Sequence, residues 1–164
     1  MIVVSDTTPL ISLMKVGRLS LVQSLFGKVL IPGAVFDELV SNPRFLDEER
    51  QIACADYIVR VDIQEHSYVD LLRRASGLDA GESEAIWLCD TQKADILLMD
   101  EVKGRQVAKQ MGLTVMGTIG MLMAAYESGF LSNIEVEDCI TALKQNGRHI
   151  SDALYQQLKE RLKK

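Results

Sequence analysis

Short apolar runs alternate with amphipathic stretches along most of this chain, and this alternation constrains its fold more than any other feature. The runs at residues 2–5, 29–31 and 96–99 consist mainly of aliphatic residues and predict buried strands. The stretches that follow them carry apolar residues at helical spacing, with proline or glycine near their ends. Strands and helices in this order predict an α/β fold, in which helices cover both faces of a mostly parallel sheet.

The same pattern indicates how the chain is organised. Strand-like runs near residues 57–61 and 113–116 extend the predicted sheet to about four to five strands in a three-layer α/β/α sandwich. The 164 residues contain no repeat, low-complexity tract or linker, so we expect one domain over residues 1–164. Its last helices, residues 133–164, are expected to pack on this domain or to form a dimer surface.

Composition excludes several classes of protein. The longest apolar runs are far shorter than the ~20 residues of a membrane span, so no contact with a membrane is expected. The net charge of −5 argues against binding of nucleic acid by a large basic surface, although it allows an acidic pocket that metal ions neutralise. Cys54, Cys89 and Cys139 are odd in number and form no CxxC pair, which predicts buried free thiols in a reducing cytoplasm.

Two of the predicted strands run directly into an aspartate. Asp6 follows Val3, Val4 and Ser5, and Asp100 follows the run at residues 97–99. In open α/β sheets, ligands bind outside the carboxyl ends of the strands, where these two side chains would meet. Each aspartate could instead cap the helix that follows it. The matched positions favour a shared site, since two capping roles do not require them.

Glutamates on two predicted helices are the other acidic candidates. Asp37 and Glu38 interrupt an otherwise apolar helix, and spacing alone does not separate a site residue from a solvated face. Asp79 and Glu82 have the spacing of a capping box, and this structural role competes with a catalytic role for Glu82. Gly81 lies between them, where glycine costs ~1 kcal/mol relative to alanine, which suggests a close approach by backbone or ligand.

Beyond the acids, the sequence offers few chemical motifs. No GxSxG, HExxH or Walker sequence occurs, and the two histidines are isolated. Arg105 lies five residues after Asp100 and could reach a phosphate beside the acids or pair with one of them. Lys15, Lys103 and Lys109 could form a modest basic rim, although a solvated helix face is the usual role of such lysines.

At these residues the sequence resembles a PIN domain, from Ile2 to about Phe130, and most closely the small prokaryotic proteins related to VapC-type toxins. The four acids of that family match Asp6, Glu38, Glu82 and Asp100, and the match selects Glu38 over Asp37. Glu82 stands eighteen positions before Asp100, where the family often has aspartate. The further positions that match or accompany the pattern are Asp79 as an accessory acid, Glu101 as the available fifth acid, and Thr118 as the polar residue after the next strand.

The resemblance implies a PIN-like, Rossmann-like fold and endonucleolytic cleavage of RNA. Clustered carboxylates repel one another, and oxygen ligands suit Mg²⁺ or Mn²⁺. Asp6 and Asp100 would be the core metal ligands, Glu38 and Glu82 would complete the catalytic site, and Arg105 or Thr118 would bind the substrate phosphate. Relatives of the toxin type also imply a cognate antitoxin that blocks the pocket, and a homodimer.

Two other functions remain open at this level. A PIN fold with poor metal affinity would serve as a nucleic-acid-binding or protein-binding module, which the acidic pI of about 5.1 favours. A metal-dependent phosphohydrolase on another Rossmann-like sheet is the third hypothesis, and the glutamate on the third helix argues against it.

Overall fold

A computed structural model describes residues 1–41 and 46–163 as alternating strands and helices. The strands are β1 Val3–Ser5, β2 Val29–Pro32, β3 Ile58–Val61, β4 Ile96–Leu98 and β5 Val115–Met116. The helices are α1 Thr7–Lys15, α2 Leu21–Phe26, α3 Gly33–Ser41, α4 Leu46–Cys54, α5 His66–Ser76, α6 Ala80–Thr91, α7 Val102–Gln110, α8 Thr118–Glu127, α9 Asn133–Gln145 and α10 Asp152–Leu162. The sequence also predicts an end of the third helix at Asn42 and Pro43, which lies outside the described residues.

All five strands are parallel, in the order β3-β2-β1-β4-β5. This confirms the predicted α/β fold with a parallel sheet. Strands β2 and β3 follow one another on one side of β1, and β4 and β5 lie on its other side. Ligands bind to sheets of this kind at the point where the strand order reverses, outside the carboxyl ends of the strands. In this chain that point lies between β1 and β4, which Asp6 and Asp100 follow.

Two apolar clusters, one on each face of the sheet, produce the three layers. Successive residues of a strand point to opposite faces, and Val3 and Val4 of β1 accordingly enter different clusters. The cluster containing Val4 is covered by α5, α6 and α7. The cluster containing Val3 also includes buried residues of α1, α8, α9 and α10, so the C-terminal helices pack against the same core as α1. Complete burial of each large apolar side chain stabilises the fold by about 1.5–3 kcal/mol.

Local differences from the sequence expectations have simple causes. The sequence predicts that Pro32 opens the third helix, but this residue is the last of β2, and α3 begins at Gly33. The Ala34 N–H at the start of α3 donates to the Glu84 carboxylate at 2.8 Å. Cys89 and Cys139 are buried, whereas the prediction of a buried thiol is wrong for Cys54. Cys54 ends α4, a helix in which only Ile52 is buried. None of the helices in the described ranges has the length and hydropathy needed to cross a membrane.

Candidate active site

Asp6 lies at the carboxyl edge of the sheet, where it follows the central strand β1 and contacts the neighbouring strand β4. Its backbone N–H donates to the carbonyl oxygen of Leu98 in β4 at 2.9 Å, and the residue is 3% exposed. Burial raises the pKa of Asp6 to about 7; the backbone N–H of Thr7 partly opposes this, and the negative charges of Asp79, Glu82 and Glu38 add to it. A carboxyl group in such a place resists ionisation unless a cation compensates its charge.

Gly81 lies next to the carboxylates of Asp6, Glu38 and Asp79. A Cβ atom at this position would lie 3.4 Å from Oε2 of Glu38 and 3.6 Å from Oδ1 of both Asp6 and Asp79. Glu38 is oriented by the hydroxyl of Thr7, which donates to its Oε2 at 2.9 Å. Carboxylates from β1, α3 and the start of α6 therefore surround a residue that contributes no side chain. The sequence suggests that a backbone or ligand approaches Gly81 closely; in the structure, the groups that do so are acidic side chains.

Asp79 and Glu82 also have the structural role that their spacing predicts. Asp79 Oδ1 accepts from the Glu82 N–H at 2.8 Å, and Glu82 Oε2 accepts from the Asp79 N–H at 3.0 Å, which completes a capping box at the start of α6. Burial raises the pKa of Glu82; the Asp79 N–H opposes this, the charges of Asp79 and Glu101 add to it, and Lys103 lowers it. The capping role and membership of the acidic cluster therefore coexist in the same two side chains.

Asp100 is held by the start of α8. Its Oδ1 accepts from the backbone N–H of Thr118 at 2.7 Å, and its Oδ2 accepts from the Thr118 hydroxyl at 2.6 Å. Arg105 donates from Nη1 to the carbonyl oxygen of Met99 at 2.8 Å. A Cβ atom at Gly117 would lie 2.9 Å from both Arg105 Nη1 and Asp100 Oδ1, so glycine is needed for these side chains to occupy their places. Thr118 thus fixes the orientation of Asp100, and its contact with substrate remains a prediction.

One further acid, on α6, was not singled out by the sequence analysis. Glu84 is 8% exposed and accepts from the Ala34 N–H at 2.8 Å, which links α6 to the first turn of α3. The available signal was a third acid beside Ala85 and Ile86 in an apolar part of the helix. Glu101, the available fifth acid, lies near enough to Glu82 for its charge to act on that carboxyl group.

The chemistry of these residues fits a divalent cation. Within residues 1–41 and 46–163, no three His, Cys, Asp or Glu side chains are placed close enough together to hold a metal ion as they stand. The groups that surround Gly81 are nevertheless all carboxylates, the ligands that Mg²⁺ and Mn²⁺ prefer. The missing side chain leaves space among them, and a cation there would relieve the cost of ionising Asp6.

Comparison with known proteins agrees with this architecture. A family model described as DUF3368, PIN domain, matches residues 2–164. Comparisons with curated proteins and with solved structures gave no match. PIN domains are generally nucleases, and such nucleases typically use divalent metal ions. Because the match covers nearly the whole chain, and the parallel sheet carries acids at its carboxyl edge, this protein belongs to the PIN-domain family.

Proposed function

We propose that this protein is a metal-dependent endoribonuclease that hydrolyses RNA phosphodiester bonds at the acids around Gly81. The observation that carries the proposal is the placement of Asp6, which is nearly inaccessible to solvent and shares its surroundings with Glu38 and Asp79. A cluster of this kind is costly for the fold unless a cation binds to it. Such a cost is typical of a functional site.

The acids have three roles in the proposed reaction. Asp6 and Asp100 are the core metal ligands, Glu38 and Glu82 complete the site, and Asp79 is an accessory acid. Bound Mg²⁺ or Mn²⁺ supplies an activated water and neutralises charge that develops on the phosphodiester. The hydroxyl of Thr7 orients Glu38 in the same way that Thr118 orients Asp100.

Arg105 is the proposed contact for the substrate phosphate, together with Thr118. Arg105 is half-buried, and its guanidinium lies beside the carboxyl edge of β4, where Nη1 binds the carbonyl of Met99. This hydrogen bond uses one of its five N–H donors, and a guanidinium binds phosphate oxygens through such donors.

We extend the proposal to a toxin-type role. In this role a cognate antitoxin blocks the acidic pocket and two copies of the chain form a homodimer. The support is the resemblance to VapC-type proteins in the order and spacing of the acids. Co-expression with a neighbouring small gene product that restores growth, together with the mass of the purified protein in solution, would test both parts.

An asparagine at position 6 tests the nuclease directly. Asp6→Asn keeps the size of the side chain but removes its charge, and we expect cleavage of labelled RNA in Mn²⁺ to fall at least a hundredfold. Asp138→Asn is the matched control, because Asp138 is an exposed aspartate on α9. Cleavage that survives in the position-6 variant would contradict the proposal, as would equal losses in both variants.

A non-enzymatic binding module is the second candidate function. It is favoured by the capping box, which engages Asp79 and Glu82, and by the lack of a ready-made metal cluster in the described part of the chain. Calorimetric titration with Mn²⁺ separates the two functions. Saturable binding that is lost in Asp6→Asn supports the nuclease, whereas no saturable binding to the wild-type protein supports the module.

A further inference from the structure

A cavity of about 900 Å³ adjoins the acidic site. At one end it is lined by Asp100 and Thr118, at the carboxyl edge of the sheet. Its other wall is formed by the turn between α9 and α10 and by α10 itself, which contribute Arg148 and Arg161. Of the proposed site acids, Asp100 reaches this cavity, which it shares with Arg148 and the paired Arg161 and Glu127. The sequence analysis assigned the C-terminal helices no part in the chemistry.

Arg148 is the first sign that this cavity receives an anion. The residue is half-buried, and the one hydrogen bond of its side chain to the described residues joins Nη2 to the carbonyl oxygen of Thr8 at 3.4 Å. Among the residues that the structure describes, it forms no salt bridge, whereas the neighbouring Arg161 pairs with Glu127. A half-buried guanidinium without a carboxylate partner leaves donors that a phosphate would satisfy.

Ser12 is a second and independent sign. It lies on α1, lines the same cavity and is 1% exposed, yet its hydroxyl oxygen has no hydrogen-bond partner among the described residues. A buried hydroxyl without a partner costs about 1–3 kcal/mol, so such groups are rare unless a ligand completes them. Arg148 and Ser12 thus offer unused hydrogen-bonding capacity to one cavity.

The rest of the lining suits a nucleic-acid strand better than a lone phosphate. Ile119, Met123 and Leu154 contribute apolar surface to the same cavity. Apolar and aromatic side chains contact the faces of bases only when those bases are not paired. A strand that lies along the cavity would place one phosphate at the acids and another at Arg148.

We infer that this cavity binds an unpaired RNA strand, and that Arg148 and Ser12 hold a phosphate on one side of the bond to be cleaved. The inference rests on the proposed nuclease function, since it assigns the strand whose other phosphate reaches the acids. It also gives the C-terminal helices a part in selecting single-stranded substrate.

Binding of a short fluorescent RNA, measured by anisotropy with the full chain, tests the inference without turnover. Ca²⁺ takes the place of Mg²⁺, since it is also an oxygen-binding cation. Arg148→Gln should weaken binding of the single strand about tenfold and reduce the salt dependence by about one released ion. Lys159→Gln is the control, because Lys159 lies on α10 outside the cavity lining and over the Tyr155 ring.

Two buried serines whose hydroxyls have no partner among the described residues give a second comparison. This comparison does not depend on the folding of the arginine variant. Ser12→Ala should weaken binding about threefold to tenfold, the effect of one hydrogen bond. Ser83→Ala should leave binding unchanged. The buried hydroxyl of Ser83 likewise has no partner in residues 1–41 and 46–163, but Ser83 lies outside the cavity lining. Equal effects of the two serine changes would overturn the assignment of Ser12.

The outcomes separate this inference from the nuclease proposal. If the protein cleaves RNA in Mn²⁺ but Arg148→Gln does not weaken RNA binding, the assignment of the cavity is wrong and the nuclease proposal remains. If Arg148→Gln weakens RNA binding but the wild-type protein does not cleave RNA, the assignment of the cavity is supported and the nuclease proposal is contradicted. A duplex that binds as tightly as the single strand would overturn the inference. An acidic peptide that binds through Arg148 when RNA does not would also overturn it, and would assign the cavity to a protein partner.

Discussion

Replacing Asp6 by asparagine should stabilise the metal-free protein at neutral and higher pH, although the same change abolishes the proposed activity. The carboxyl group of Asp6 is buried among other acids, and its pKa is raised from 3.8 to about 7. Asparagine has nearly the same shape and carries no charge. The fold then no longer has to hold an uncompensated anion at this place.

The size and sign of this effect follow from the two pKa values. Below pH 3.8 the group is protonated in both folded and unfolded chains, and it contributes nothing. Between pH 3.8 and about 7 the unfolded chain releases the proton while the folded chain retains it, so the free energy of unfolding falls as pH rises. Above pH 7 the full penalty applies, and at 1.36 kcal/mol per pKa unit it reaches at most about 4 kcal/mol.

Urea unfolding followed by circular dichroism, with EDTA present and at several pH values, measures the effect. The difference in unfolding free energy between Asp6→Asn and wild type should grow from pH 4 to pH 8, whereas Asp138→Asn should show no such growth. Adding Mn²⁺ at a hundred times its Kd should reduce this difference by about 2.7 kcal/mol, since the ion stabilises the wild type by that amount and does not bind the variant. A difference that stays constant with pH, or shrinks, would refute the reasoning.

Three other substitutions test the surroundings of the acids. Gly81→Ala should stabilise the metal-free protein by up to ~1 kcal/mol, because alanine has the higher helix propensity, and should thereby raise its melting temperature. The same change should weaken Mn²⁺ binding in calorimetry, because the added methyl group occupies the space among the carboxylates. Gly117→Ala should lower kcat at least tenfold in a cleavage assay, since its Cβ would displace Arg105 or Asp100, both 2.9 Å away. Thr118→Val should weaken Mn²⁺ binding about tenfold by removing the hydroxyl that orients Asp100, and unchanged affinity would exclude that role.

The fold and part of the site could be predicted from local patterns in the sequence. Strand runs that end at Asp6 and Asp100 predict acids at the carboxyl edge. The structure places Asp6 directly after β1, and Asp100 two residues after the end of the neighbouring strand β4. The spacing of Asp79 and Glu82 predicts a capping box, which is present. These features depend on residues close together in the sequence, where periodicity and spacing carry the information.

Other parts of the site depend on contacts between distant segments. The bond of Glu84 to the Ala34 N–H spans fifty positions, and that of Arg148 to Thr8 spans 140. A glutamate within a helix and an arginine in a turn have many ordinary roles, so nothing local distinguishes these two. The unpartnered hydroxyl of Ser12 was equally hidden, because the lack of a partner is a property of the packed molecule.

The hydrogen bond from Ala34 to Glu84 has a consequence for how the acids would accommodate a cation. It joins the first turn of α3 to α6, so it links the helix that carries Glu38 to the helix that carries Gly81. Asp6 is short and enclosed, and it has little freedom to adjust. The exposed and longer side chain of Glu38 must therefore make most of the adjustment by changing rotamer. A shorter acid at position 38 would lose that reach, even though its charge would be the same.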